Sequence, residues 1–298
     1  MIRFDLIGLD GANPLGFLAA IGTLRTASAQ WEKAVPKMGW HKAFGGWRPY
    51  LELEMDHAIS DEELVEGLDS ELSKMREHPV FAISDDLALS PDEFRAWLLK
   101  AYTAEDRTFA DFLAAFGSEA LSEKGQIADT ALRNVGAGHQ RFIKSMRQLA
   151  EDTEKSDVQR ALFASWRYED GKPSMRWDPN DDRRYALRWK EPSTDIIRTV
   201  RGANRLAIEA LPLLPTMVVG NRLETTGFTE KSRKHFWTWP IWEPAVSIDI
   251  VRSILALDDL QLEKPNRWTL GPRGIVDVFR CQRITQGKYR NFTTAVSV

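Results

Sequence analysis

Ile2-Arg-Phe-Asp-Leu-Ile-Gly-Leu9 runs straight into Asp10-Gly-Ala-Asn-Pro-Leu-Gly-Phe-Leu-Ala-Ala-Ile-Gly-Thr-Leu24, and the reading of this junction decides the fold class. The first piece reads as a strand that stops at Asp10-Gly11. Asn13 can then accept hydrogen bonds from the orphan amides of a helix, and Pro14 loses nothing at the first helical position. Leu15, Leu18, Ile21, Leu24 and Ser28 recur every three or four residues, so the helix buries a face and ends near Trp31. Gly16, Ala19, Ala20 and Gly22 would let another backbone come close.

Working outward, Pro36 to Trp47 reads as a loop heavy in Gly and Trp, and Leu51-Glu-Leu-Glu-Met55 alternates like a half-buried strand. Ser60-Asp-Glu-Glu63 and Ser90-Pro-Asp-Glu93 are capping boxes; the first opens a helix to about His78, the second one carrying Phe94, Trp97, Leu98 and Tyr102. Phe109, Phe112, Leu113 and Phe116 mark a third amphipathic helix, and helical spacing continues through Phe142, Met146 and Leu149. From Trp166 onward short strand-like pieces dominate. Val246-Ser-Ile-Asp-Ile-Val251, Ile275–Ile284 and Phe292–Val298 read as strands, and a helix from about Gly202 to Leu211 interrupts them. The fold class is therefore α+β: an N-terminal strand–helix with amphipathic helices, then a mixed antiparallel strand-rich part with an inserted helix.

Charge divides the chain in a similar place. Residues 1–132 hold 12 Lys and Arg against 23 Asp and Glu, whereas 133–298 hold 28 against 20, although the whole chain carries a net charge of only −3. The reading is an acidic, mainly helical part, 1–132, and a basic, strand-rich part, 133–298, in two domains or one. Such asymmetry suits nucleic-acid contact, or docking of the acidic part on a basic partner, and equally suits solvated acidic helices. Cys281 is the single cysteine, so an internal disulfide framework and a multi-cysteine zinc site are excluded. No apolar run approaches bilayer length and no leader is evident, which points away from membranes and towards the cytoplasm.

Catalytic signatures are missing. The histidines (His41, His57, His78, His139, His235) show no metal-ligand spacing, and there is no Gly-x-Ser-x-Gly elbow, Walker loop or dinucleotide fingerprint. Asp178-Pro-Asn-Asp-Asp182 is the strongest acidic candidate. Asp178, Asp181 and Asp182 could hold Mg²⁺ for phosphodiester chemistry, but Arg183 and Arg184 follow at once, and Asp-Pro-Asn-Asp is also a good turn sequence. No cofactor is called for.

Three basic stretches can bind nucleic acid instead. Arg133, Arg141, Lys144 and Arg147 lie along a helical pattern whose face could neutralise phosphates. Between Arg176 and Arg205, the aromatics Trp177, Tyr185 and Trp189 interleave with Arg183, Arg184, Arg188, Lys190, Arg198, Arg201 and Arg205. Guanidinium groups grip phosphates there while rings can stack on bases; alternatively the tryptophans are core and the arginines are paired. Arg280 to Arg290 reads as a hairpin turning at Gln286-Gly287, with Arg283, Lys288, Tyr289 and Arg290 near its tip. Trp237, Trp239 and Trp242, set around Pro240, look like a rigid lid or docking surface.

The opening strand–Asn-Pro–helix, the block Trp177-Asp-Pro-Asn-Asp-Asp-Arg-Arg-Tyr-Ala-Leu-Arg-Trp189 and the run Gly202-Ala-Asn-Arg-Leu-Ala-Ile-Glu-Ala-Leu-Pro-Leu-Leu-Pro215 together resemble proteins encoded in subtype I-G (formerly I-U) CRISPR loci. The resemblance implies a small large-subunit-type component of a Cascade-like guide-RNA surveillance complex in antiviral defence. It also implies guide RNA, target DNA and other effector subunits as partners, with a helicase–nuclease as a further one. Such a subunit contacts target DNA beside the protospacer or the displaced strand, while base pairing carries sequence specificity. Arg183, Arg184, Arg201 and Arg205 are then expected on nucleic-acid backbone, and Asn204 on a base edge or phosphate; Asn204 and Arg205 could instead anchor their helix to the Asp-Pro turn. A metal-dependent nuclease or RNA-processing enzyme, and a scaffold without nucleic-acid contact, are the alternatives.

Overall fold

A computed structural model describes residues 1–135, 141–181, 198–220, 222–286 and 289–298. Its centre is helix α1 (Pro14–Gln30), which is apolar on every side and buried along most of its length. Asn13 caps it as expected, its side chain accepting from Leu15 N and Gly16 N, and Trp31 closes it. A helix without a polar face must be surrounded. One side meets helix α7 (Arg201–Ile208) closely enough that Gly22 lies against the Leu206 carbonyl. On another, the Phe17 ring sits 5.7 to 6.4 Å from those of Trp40, Trp237, Trp239 and Trp242.

Two antiparallel sheets flank this helix. The first has the order β1 (Ile2–Asp5), β3 (Gly46–Leu53), β2 (Lys37–Ala43), β10 (Val246–Ser247). The second has the order β12 (Tyr289–Phe292), β11 (Ile275–Gln286), β9 (Lys234–Trp242), β8 (Phe228–Lys231), with β13 (Val296–Ser297) also on β11. The Trp239 indole donates to Gly11 O, that of Trp242 to Met38 O and that of Trp47 to Asp277. The last two bonds tie the sheets to each other and the first ties the second sheet to the turn before α1; an unmade bond at the buried ones would cost about 1–3 kcal/mol. Hairpins β4 (Gly117–Leu121)–β5 (Ile127–Asp129) and β6 (Thr216–Val219)–β7 (Arg222–Thr225) lie apart from them. Helices α2 (Asp61–Lys74), α3 (Pro91–Thr103), α4 (Thr108–Phe116), α5 (Phe142–Asp152), α6 (Lys155–Phe163), α8 (Ile248–Leu255) and α9 (Arg267–Leu270) complete a mixed α+β fold. One hydrophobic core draws residues from both sides of residue 132, and β10 pairs with β2 across that division. Among the described residues no helix is long and apolar enough to cross a membrane.

Several local expectations need correction. Pro36 to Trp47 is mostly strand β2, because Met38 and Trp40 face the core and the chain turns only at Phe44-Gly45. The opening strand stops at Asp5: the amide of Gly8 leaves the sheet for Leu162 O. Val246 to Val251 alternates like a strand, yet only its first two residues are one; Val251, Ile254 and Leu255 bury a helical face. Trp237, Trp239 and Trp242 are wholly buried, so they form the core around α1 and not a lid or docking surface.

Candidate nucleic-acid interface

Two of the three basic stretches meet. Strand β11 carries Arg283 beside Asn134 and Arg133: its Nε donates to Asn134 Oδ1 at 2.9 Å and its Nη2 to Arg133 O at 2.8 Å. Arg290, on the returning strand β12, donates from Nη1 to the same carbonyl at 3.4 Å. The Arg133 side chain turns the other way, making a bidentate pair with Asp86 at 3.0 and 2.8 Å and a third bond to Asp129. Arg141 stands 3.5 Å from Asp86 and is half exposed. The result is a cleft of about 740 Å³ whose lining includes Asp86, Glu123, Lys124, Asp129, Arg133, Arg141, Thr285 and Arg290, four cations against three carboxylates.

The charges in this cleft do not cancel. Asp86 is shared by Arg133 and Arg141, and Asp129 is taken by Arg133. Among the described residues no carboxylate pairs with Arg283 or Arg290. Burial works against the Arg133 cation, but Asp129 and Asp86 outweigh it and its pKa stands above the usual arginine value. Arg283 is the reverse case: burial, then the neighbouring Arg290, pulls it down to about 9 against the opposing pull of Asp129. It remains cationic at neutral pH. Two adjacent guanidinium groups with no carboxylate paired to either, and Arg290 making a single 3.4 Å bond, among the described residues, suit an external acceptor such as a phosphate.

The other candidates are distributed differently. The helical pattern that began at Arg133 is a helix only from Phe142; Arg141 precedes it, and Lys144 is exposed one turn further on. Arg147 is committed to structure, its Nε and Nη2 donating to Phe81 O at 2.9 and 2.6 Å. Arg201 is partly exposed, 3.6 Å from Asp157. Asn204 and Arg205 are buried, which corrects their expected contact with nucleic acid. Asn204 accepts from Met175 N and donates to Thr199 Oγ1 and Val200 O, anchoring α7 to the segment before the Asp-Pro turn. Arg205 pairs with Glu209 at 2.6 Å and donates to Leu72 O, so its anchor is α2. Arg183, Arg184, Arg188 and Lys288 lie outside the described residues. Asn134 escaped the sequence reading; its signal was adjacency to Arg133 alone, although its amide reaches Arg176 O and its oxygen orients Arg283.

Asp178 to Asp181 forms a turn, with Asn180 N on Asp178 Oδ1 at 2.8 Å and Asp181 N on Asp178 O at 3.0 Å. Asp178 is buried and accepts from the Tyr168 hydroxyl at 3.1 Å; Asp181 is buried and accepts from Ser174. Among the described residues no group of three acidic, histidine or cysteine side chains is arranged to hold a metal, and Asp182 lies outside them.

Burial raises the Asp178 pKa above the usual carboxylate range, overcoming its bonds from the Asn180 amide, the Asn13 side chain and Tyr168. The native state therefore holds this proton more tightly than the unfolded chain does. Its stabilising effect is complete below the unfolded value of about 3.9 and is lost as pH rises through the folded value. Asp178→Asn, which keeps an acceptor and removes the charge, is expected to match the parent in acid and to exceed it in stability near neutrality. Denaturation midpoints from about pH 4 to about pH 8 check this; a variant weaker than its parent at neutral pH would mean that an ionised carboxylate is being held. No protein-family model, curated protein or solved structure matches this chain.

Proposed function

We propose that this chain is a non-catalytic, nucleic-acid-contacting subunit of a CRISPR guide-RNA surveillance complex, acting in the cytoplasm with guide RNA, target DNA and other effector subunits. The observation that carries the reading is the cleft in which Arg133, Arg141 and Arg290 meet from two distant stretches, with Arg283 bonded to its wall and neither Arg283 nor Arg290 paired with a carboxylate among the described residues. Supporting it, the three blocks that resemble subtype I-G proteins hold one another. Asn13 bonds Asp178, α1 packs on α7, and Asn204 bonds Met175, two residues before the second block. The nuclease alternative fits less well, because Asp178 and Asp181 are buried and engaged within their own turn.

The test is titration of the protein into labelled single- and double-stranded DNA and RNA at several salt concentrations, with and without magnesium. Affinity should fall with salt at a log–log slope of about −0.7 per neutralised phosphate of a single strand, hence roughly −2 for three contacts, with every substrate intact. Absence of binding to all four at low salt overturns the proposal, and magnesium-dependent cleavage replaces it with the enzyme reading.

A further inference from the structure

Strands β2 and β3 join through the two residues Phe44 and Gly45, both with positive φ (51° and 76°). That is the dihedral signature of the tight hairpin turn whose first position suits Asn, Asp or Gly. Phenylalanine there is both backbone-strained and, at 76% exposure, almost wholly in solvent. It makes no ring contact with any described aromatic, so the fold gains nothing visible from it.

Its surroundings are chemically specific. Phe44 lines a cleft of about 650 Å³ with Lys42, Trp47 and Phe279. The Trp47 ring is fixed by its bond to Asp277, and the Lys42 ammonium lies 5.1 Å from that ring. Asp10, also on the wall, has one oxygen engaged by Ala12 N and the other 3.9 Å from Arg48, so its charge is already balanced. Strand β11 reaches both clefts, lining this one with Phe279 and the arginine cleft with Thr285, six residues and about 20 Å further along the strand. One strand thus leads from the arginine cleft to an exposed aromatic ring beside a cation.

We propose that Phe44 is a stacking platform for one unpaired nucleobase of a single strand whose phosphates lie in the arginine cleft. This rests on the nucleic-acid reading above. Stacking is tolerant of sequence because every base has a π-face, and it gains most from a ring that is already solvent-exposed and held by a rigid turn. Lys42 is placed to accompany the strand as a phosphate contact.

The experiment is an abasic scan: a short labelled single strand, and strands each lacking one base, are titrated into the parent, Phe44→Ala and Phe44→Asn. The parent should lose about tenfold in affinity at one abasic position. Phe44→Ala should lose about the same on the intact strand, and the abasic position should then cost it nothing more. Phe44→Asn, which creates the favoured Asn-Gly turn, should bind equally weakly while its denaturation midpoint rises. Unchanged affinity in Phe44→Ala overturns the proposal, as does a loss that leaves the abasic position still costly. If Phe44→Ala instead loses only a protein partner, the ring is a protein-docking element and the stacking role falls. Arg141→Gln with Arg290→Gln separates the levels. Sensitivity to the arginines without sensitivity to Phe44 defeats this inference alone, whereas insensitivity to both defeats the nucleic-acid reading.

Discussion

Gly22→Val is expected to abolish folding, and Gly22→Ala to cost about 3 kcal/mol or more. A Cβ at this position would lie 1.9 Å from Leu206 O, 2.9 Å from its carbonyl carbon and 3.2 Å from Ala210 N. All three are backbone atoms, so no side chain can swing away. The helices would have to separate by more than an ångström, and α1 has nowhere to go. Its far side carries Phe17, stacked at 5.9 Å on Trp40 and within 6.4 Å of three further tryptophans. Opening a gap there forfeits dispersion contacts of the largest side chains in the core. With total stabilities of about 5–15 kcal/mol, adding the two further methyls of valine exceeds what the fold can absorb. Gly171→Ala is the matched control, since a Cβ there meets nothing within 4 Å. Denaturation midpoints decide: a Gly22→Ala protein melting within about 2 °C of its parent would mean that α1 and α7 do not pack backbone to backbone.

The same helix shows what a sequence can and cannot disclose. Asn13, Ser60 and Ser90 were legible as helix starts because a cap needs only partners two or three residues away, and all three make those bonds. Strand β11 was legible over Ile275–Ile284, and its return in β12 from the hairpin reading of Arg280 to Arg290, but the strand read over Phe292–Val298 is broken, with only Phe292, Val296 and Ser297 of it in strands. Strand β2 was not, because Gly39 and the tryptophans around it look like loop residues until a sheet covers them. Nor was α8: six alternating residues fit either period, and the choice falls to Val251, Ile254 and Leu255, whose burial depends on distant elements. The tryptophans around Pro240 read as surface for the same reason. At the site, Arg141, Arg283 and Arg290 were visible as basic residues, but their meeting was not, since 149 residues separate Asn134 from Arg283. Asn204 and Arg205 illustrate the opposite failure. A polar motif looks ligand-facing in sequence, whereas here the polar atoms are consumed by Met175, Thr199, Glu209 and Leu72.

Arg141→Gln combined with Arg290→Gln should weaken nucleic-acid binding about a hundredfold while leaving the fold intact. Each guanidinium contact to phosphate is a charge-assisted hydrogen bond of about 1.5–3 kcal/mol, so losing two removes at least about 3 kcal/mol, or two powers of ten. The salt slope on single strands should shrink by about 1.4, because two fewer counterions are released. Stability should stay within about 0.5 kcal/mol: Arg290 makes a single bond of 3.4 Å, Arg141 is half exposed at 3.5 Å from Asp86, and Asp86 keeps its bidentate partner Arg133. Removing Arg290 also relieves the cation that depresses Arg283. Arg283 itself is a poorer probe, since its loss strands Asn134 Oδ1 and weakens the cleft wall. Arg252→Gln, on the exposed face of α8 and paired with Asp111 and Asp249, changes net charge elsewhere and should leave binding unaltered. If that variant and the double variant lose affinity alike, attraction is a property of overall charge and the cleft has no special part in it. If only the double variant fails, with its slope reduced, the phosphates lie where two stretches of chain distant in sequence bring their arginines together.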